Sequence, residues 1–207
     1  KGRGNDRYGN VDWSPNSENI ITPNMNNGAD IYNTETMSIA NQISGQHVSD
    51  ITCVKYSKSG NYIVTGDELG RVNIWDSLGE YQEISFEVQE EIIGCDFSQS
   101  DAKLAVITVT GNLHTFSLSG SQLQNLDLGD SHGMKWSLNS DRIFILESDS
   151  SPELIVIDGS TFEQISSVRL MHKSLDFALI ENQGVIMDLF VATDSNHIAA
   201  YGTPTLP

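Results

Sequence analysis

The chain has 207 residues, with 28 acidic side chains against 11 basic ones and a formal net charge of −17. That balance argues against binding a phosphate backbone by counterion release, and so against nucleic acid, and it disfavours anionic membrane surfaces. Hydrophobic residues make up 38% of the chain, and no run approaches the ~18 apolar residues of a transmembrane helix, so the composition is globular and no membrane insertion is expected.

The chain opens Lys-Gly-Arg-Gly-Asn-Asp-Arg, without an initiator Met or an apolar signal core, and is expected to begin inside a longer polypeptide. A first β-rich run covers Tyr8 to Trp13. From there an aromatic residue followed by Ser recurs as Trp13-Ser14, Tyr56-Ser57, Phe97-Ser98 and Trp136-Ser137, with Phe177-Ala178 as a fifth, degenerate copy. The steps are 43, 41, 39 and 41 residues. A second anchor follows 19 residues later in the first three copies (Tyr32, Trp75, Phe116), and 21 and 24 later in the last two (Ile157, Tyr201). Two phased anchors over five units mark an internal repeat.

The second copy shows the plan of each unit. Ile51 to Tyr56 is a short β-rich run, and Ser57-Lys58-Ser59-Gly60 is turn chemistry. Asn61 to Thr65 is a second run, and Gly66 to Gly70 a second turn. Arg71 to Trp75 alternates, with Val72 and Ile74 on one face, and a fourth strand is expected near Tyr81 to Val88. In the other copies Pro15-Asn16-Ser17, Gln99-Ser100-Asp101 and Leu138-Asn139-Ser140 take the first turn. Their second strands are expected at Asn19 to Thr22, Leu104 to Thr108 and Ile143 to Leu146, and Glu163 to Met171 reads as a strand too. Four short antiparallel strands every ~40 residues describe a propeller blade, which cannot bury both faces alone and must stack on neighbours. The expected architecture is all-β: one propeller domain over 1–207, with blades near 8–47, 48–89, 90–130, 131–173 and 174–207.

The chain resembles the WD40-repeat β-propellers, best over residues 45 to 76. Gly45-Gln46-His47 stands for the Gly-His element, Tyr56-Ser57-Lys58-Ser59-Gly60 for the first turn and Ile74-Trp75-Asp76 for the terminal Trp-Asp. The resemblance implies a structural blade network of a loop His, a strand Thr, a turn Asp and the strand Trp. By position these are His47, Thr65, residue 69 and Trp75, with Asp76 completing the Trp-Asp pair; residue 69 is Leu, which leaves the network one member short. Since the family usually closes with seven blades, about five blades imply either part of a larger ring or a propeller completed by another segment. Residues 55 to 76 are also similar to the early part of the actin-interacting protein 1 family, which has two propellers and promotes cofilin-dependent actin filament disassembly.

Catalytic patterns do not emerge. There is no Gly-x-Ser-x-Gly, Cys-x-x-Cys, His-Glu-x-x-His or Asp-x-Asp-x-Asp-Gly, and the histidines at 47, 114, 132, 172 and 197 fall in separate copies. His47 reads as a structural loop residue, and His114 and His197 as polar edge or loop residues. Gly66-x-x-x-Gly70 lacks a following Lys and helix, and ESDSSPE (147–153) reads as a surface turn. No catalytic residue, cofactor or metal is therefore expected. The first strands, expected to line the axis, offer mostly apolar Val11, Ile51, Val54, Ile92, Ile93 and Met134. Cys53 lies three residues before Tyr56 and Cys95 two before Phe97, so period-2 alternation points them to opposite faces and predicts no disulfide.

The function expected from these readings is a non-enzymatic protein–protein interaction scaffold, a subunit of a multi-protein intracellular, cytoplasmic and eukaryotic assembly. Absence of an Asn-x-Ser/Thr sequon fits that location. The expected partner-binding loops run Gln46 to Asp50, Asp67 to Leu69, Gln89 to Glu91 and Asp130 to His132, with Asp50, Asp67, Glu68, Glu87, Glu90 and Glu91 facing a partner of basic surface. The alternatives are an actin-filament regulator with cytoskeletal association, and a propeller enzyme with a central-channel site.

Overall fold

The structure, a computed structural model, describes residues 11–129, 131–138, 141–147, 152–171, 174–182, 185–193 and 198–202. Five antiparallel sheets follow one another along the chain. Blade 1 holds β1 (Asp12–Trp13), β2 (Asn19–Asn24), β3 (Gly28–Asn33) and β4 (Ile39–Ile43). Blade 2 holds β5 (Ile51–Tyr56), β6 (Tyr62–Asp67), β7 (Arg71–Asp76) and β8 (Gln82–Glu87). Blade 3 holds β9 (Ile92–Phe97), β10 (Lys103–Thr108), β11 (Asn112–Ser117) and β12 (Gln122–Asp127). Blade 4 holds β13 (Ser131–Trp136), β14 (Arg142–Glu147), β15 (Glu153–Asp158) and β16 (Gln164–Arg169). Blade 5 holds β17 (Ser174–Asn182), β18 (Val185–Thr193) and β19 (Ile198–Gly202). Strand order in every sheet is sequential, and among the described residues there is no helix. The arrangement is a five-bladed β-propeller, as the repeat predicts.

Each blade is a meander because its strands are short, β-branched and separated by turn residues. The first turn needs a positive φ at its last residue. Gly60 supplies it at 78°, while Ser17 and Asp101 adopt 62° and 56° at the matching positions. The copies also share their irregularities. Register shifts skip Thr52 in β5 and Ile93 in β9, and every blade from 1 to 4 has a shift just before its second anchor, as at Ile74/Trp75.

The core lies between blades. Ile21, Ala29, Ile31 and Ile43 of blade 1 meet Ile51, Val54, Tyr56, Ile63 and Trp75 of blade 2. The other face of blade 2 (Cys53, Val64, Val72, Ile74) meets Cys95, Phe97, Leu104, Val106 and Phe116 of blade 3. Blade 3 turns Ala105, Ile107 and Leu113 onto Met134, Trp136 and Ile143 of blade 4, whose far side meets Phe177, Leu189 and Val191 of blade 5. Trp13 is 55% exposed although its counterparts Tyr56, Phe97, Trp136 and Phe177 are buried.

Two expectations are overturned here. Cys53 and Cys95 are disulfide-bonded, with Cα atoms 6.3 Å apart. Their side chains do leave their sheets on opposite faces, but neighbouring blades pack the front of one against the back of the next. Opposite parity is therefore what brings them together. The axis is also not lined by the apolar first-strand residues: Ile51, Val54, Ile92 and Met134 are buried in the inter-blade layers, and Val11 is exposed. Several expectations lie outside the described residues: the run from Tyr8 to Asn10, Asn139-Ser140 of the fourth turn, the 148–151 stretch, Asp130, the side chain of His132, and His172 and His197.

Candidate interaction face

Antiparallel strands send alternate connections to opposite ends of a blade. The β2–β3, β4–β5, β6–β7, β8–β9 and β10–β11 connections thus share one end, and the predicted partner loops lie there. A buried network in blade 2 holds this end in shape. Trp75 Nε1–H donates to Thr65 Oγ1 at 2.9 Å, and Thr65 Oγ1 lies 2.7 Å from His47 Nε2. His47 Nδ1 meets Asp67 Oδ2 at 2.8 Å, and Asn73 Nδ2 approaches His47 Nε2 at 3.0 Å. Nδ1 faces the carboxylate, and Nε2 faces the Thr65 hydroxyl and the Asn73 amide.

The carboxylate of this network is Asp67, two residues before the position the family pattern indicated. Its other oxygen accepts Leu69 N at 3.0 Å and Arg71 N at 2.9 Å, which folds the β6–β7 turn around it. Burial pushes the Asp67 pKa up, but the His47 hydrogen bond, the Arg71 and Leu69 amides and the His47 charge together hold it below the usual value. Asp76 stays outside the network. At the other end of β7 its Oδ1 accepts Glu80 N (2.8 Å) and Tyr81 N (3.3 Å) to cap the β7–β8 turn.

Glu90 is likewise turned inward. Its carboxylate accepts Thr108 Oγ1 at 2.7 Å, Thr110 Oγ1, and Asn112 Nδ2 at 3.0 Å, fastening the β10–β11 turn. The Thr110 and Thr108 hydroxyls hold its pKa below the usual carboxylate range. Gly70 (φ 85°) fits beneath this link: a Cβ there would stand 2.6 Å from Glu90 N. Asp50 is exposed, and Glu87 meets Arg71 Nη2 at 2.8 Å on the surface. Glu68 and Glu91 are half-buried nearby. Between these acids stand two apolar side chains, Val48 at 70% and Leu69 at 61% exposure. The β4–β5 and β6–β7 connections, joined by the Glu68 N to Asp50 O bond, thus carry both exposed apolar groups and acids.

The inner strands carry a second set of polar links. Asp12 accepts Lys55 Nζ at 2.8 Å and Tyr56 N at 2.9 Å. Asp96 accepts Lys58 Nζ at 2.7 Å and Trp136 N at 2.8 Å, and Lys135 Nζ lies 3.3 Å from Asp176. Burial lowers the Lys55 pKa, yet the charges of Asp12, Asp96 and Asp176 raise it overall. Charge at the inner edge replaces the apolar lining expected there. Its signal was in the sequence: the residue before each first anchor alternates as Asp12, Lys55, Asp96, Lys135 and Asp176. His114 lies in a third strand ahead of Phe116, as read from the sequence, but is buried in β11 rather than set at a polar edge. Among the described residues no three His, Cys, Asp or Glu side chains gather as a metal site, and no helix is long and apolar enough to cross a membrane.

Sheet order and blade stacking define a β-propeller. Residues 40–76 match the family model described as WD domain, G-beta repeat. The chain is 26% identical over 208 residues to actin-interacting protein 1 of Drosophila melanogaster, an alignment covering 92% of this chain and 34% of that protein. It therefore spans about a third of that relative. In fold it is similar to the β-propeller domain of Cps50 (Swd1) from Myceliophteria thermophila, with a TM-score of 0.80, 15% identity, and coverage of 100% of this chain and 68% of that one. WD40 propellers commonly serve as non-enzymatic protein-interaction scaffolds.

Proposed function

We propose that this chain is a non-enzymatic protein-interaction scaffold within an intracellular, cytoplasmic assembly, and that the end carrying the β4–β5, β6–β7 and β8–β9 connections receives a partner with a basic surface. The observation that carries the reading is the pairing of exposed Val48 and Leu69 with the surrounding Asp50, Glu68, Glu87 and Glu91. Protein interfaces combine an apolar centre with a polar rim, and complementary charge speeds and orients association. The test is affinity capture from a eukaryotic cytosolic extract with wild type, Val48→Asp/Leu69→Asp and Asp50→Lys/Glu87→Lys. Partners recovered by the wild type should be lost by both variants while thermal unfolding is unchanged. Identical recovery by all three proteins would remove this face from the interaction.

A second reading, an actin-filament regulator, is favoured by the 26% identity that runs through 92% of the chain rather than through one repeat. Sedimentation with actin filaments, with and without cofilin, tests it directly. A protein that remains in the supernatant in both conditions ends that reading and leaves the scaffold reading standing.

A further inference from the structure

Of the methionines whose side chains the structure describes, Met134 is buried in the layer between blades 3 and 4, whereas Met25, Met37 and Met171 are 83%, 72% and 83% exposed. Methionine is ordinarily among the more buried residue types, because a flexible apolar side chain contributes most where it fills a core. At the surface its sulfur keeps its lone pairs open to solvent, where oxidants of the peroxide class reach it. Exposure alone makes three sites susceptible. Position separates one of them: Met25 lies in the β2–β3 turn of blade 1, at the end of the blades shared by the β4–β5 and β6–β7 connections.

Its turn is built without help from the thioether. Asn24 Oδ1 accepts Asn26 N at 2.9 Å and Gly28 N at 3.2 Å, and Asn24 Nδ2 donates to Asp30 Oδ1 at 2.8 Å. The β6–β7 turn is closed in the same way, with Asp67 Oδ1 accepting the amides of Leu69 and Arg71. In the β10–β11 turn Thr108 Oγ1 accepts Asn112 N at 3.2 Å. The residue that follows the closing side chain is Met25, Glu68 and Val109 in turn. One turn design thus carries a thioether, a carboxylate and a branched hydrocarbon at this position, so a change of polarity there leaves the backbone intact.

We propose that Met25 is a site of reversible oxidation to the sulfoxide by a peroxide. A sulfur lone pair attacks one oxygen of hydrogen peroxide and the O–O bond breaks. The departing hydroxide takes the proton from the sulfur-bound oxygen and leaves as water, so sulfur loses two electrons and the peroxide gains them. Two thiols reverse the step in the reaction of methionine sulfoxide reductases, giving thioether, disulfide and water. The sulfoxide replaces an apolar tip with a polar hydrogen-bond acceptor, and so alters the end of the blades assigned above to a partner. That consequence rests on the scaffold reading, whereas the oxidation itself does not.

The test is a time course of the folded chain in dilute hydrogen peroxide, followed by peptide-mapping mass spectrometry, with a parallel course in denaturant. In the folded chain the Met25 peptide should gain one oxygen roughly tenfold faster than the Met134 peptide, and in denaturant the two rates should converge. In the Met37→Leu/Met171→Leu variant, oxidation of Met25 should leave the unfolding midpoint unchanged. A mixture of the two sulfoxide reductases should then return the peptide to its unmodified mass. Equal rates for Met25 and Met134 in the folded chain, unfolding that accompanies Met25 oxidation, or a sulfoxide that the reductases leave in place would overturn the proposal. Extract capture and actin sedimentation use the unoxidised protein, so their failure and the failure of this proposal remain distinguishable.

Discussion

Cys53 and Cys95 point away from opposite faces of their own sheets, yet meet in the same layer between blades 2 and 3. The bond closes a loop with a sequence separation of 42 residues. Constraining a loop of that length in the unfolded chain is worth about 4 kcal/mol. Replacing both residues by Ser should lower the unfolding free energy by about 2–4 kcal/mol in equilibrium denaturation. Both sulfurs lie in the core, so a thiol reagent should find no reactive cysteine in the native protein, and two only after unfolding and reduction. Unaltered stability in the double variant would show that the bridge contributes nothing.

The Thr65 hydroxyl is the shared node of the buried network, accepting from Trp75 Nε1 and hydrogen-bonded to His47 Nε2. Thr65→Val preserves shape but leaves the indole N–H without an acceptor. The expected destabilisation is about 1–3 kcal/mol, measured by chemical denaturation followed through tryptophan fluorescence. Leu69→Ala in the same blade, on an exposed turn, should change stability by less than about 0.5 kcal/mol.

Acid should destabilise the protein in two stages. Burial holds the His114 pKa below its ordinary value of 6.5, Glu90 opposing it, so the unfolded state binds more protons and stability falls as pH drops below about 6.5. Asp67 is held below its ordinary 3.8, so its contribution is present at neutral pH and is lost as pH falls through and below that value. His114→Ile, which copies Ile155 of blade 4, should remove the upper stage. Asp67→Asn should flatten the lower one. Stability measured against pH from 3 to 8 checks both, and a profile that neither variant changes would refute the assignment.

Removing a carboxylate should matter at the inner strands far more than at the rim. Asp96 is buried and holds both Lys58 Nζ and Trp136 N, so Asp96→Ala strands a cation and an amide and should cost about 3 kcal/mol. Glu87 is exposed beside Arg71, and Glu87→Ala should cost under about 1 kcal/mol. Similar losses in the two variants would contradict this division.

Much of the architecture was legible in the chain. Strands, turns and blade count follow from local chemistry: alternation within Arg71–Asp76, positive-φ turn residues such as Gly60, and anchors recurring every 39 to 43 residues. Those signals depend on neighbours a few residues apart, so they survive without knowledge of the fold. The site was legible in part. His47, Thr65 and Trp75 stood out by position, whereas Asp67 did not, because the turn's path decides which carboxylate reaches the imidazole. Glu90 looked like a rim acid until the β10–β11 turn of its own blade was seen to close on it.

What the sequence by itself determined is the repeating sheet and the alternation of side chains along its regular strands. Only the tertiary structure decided which parities meet. Blades stack front against back, and this joins Cys53 to Cys95 and sets Asp12 beside Lys55. The physical reason is that alternation along a strand is a property of one chain segment, while the layer a side chain joins is a property of two.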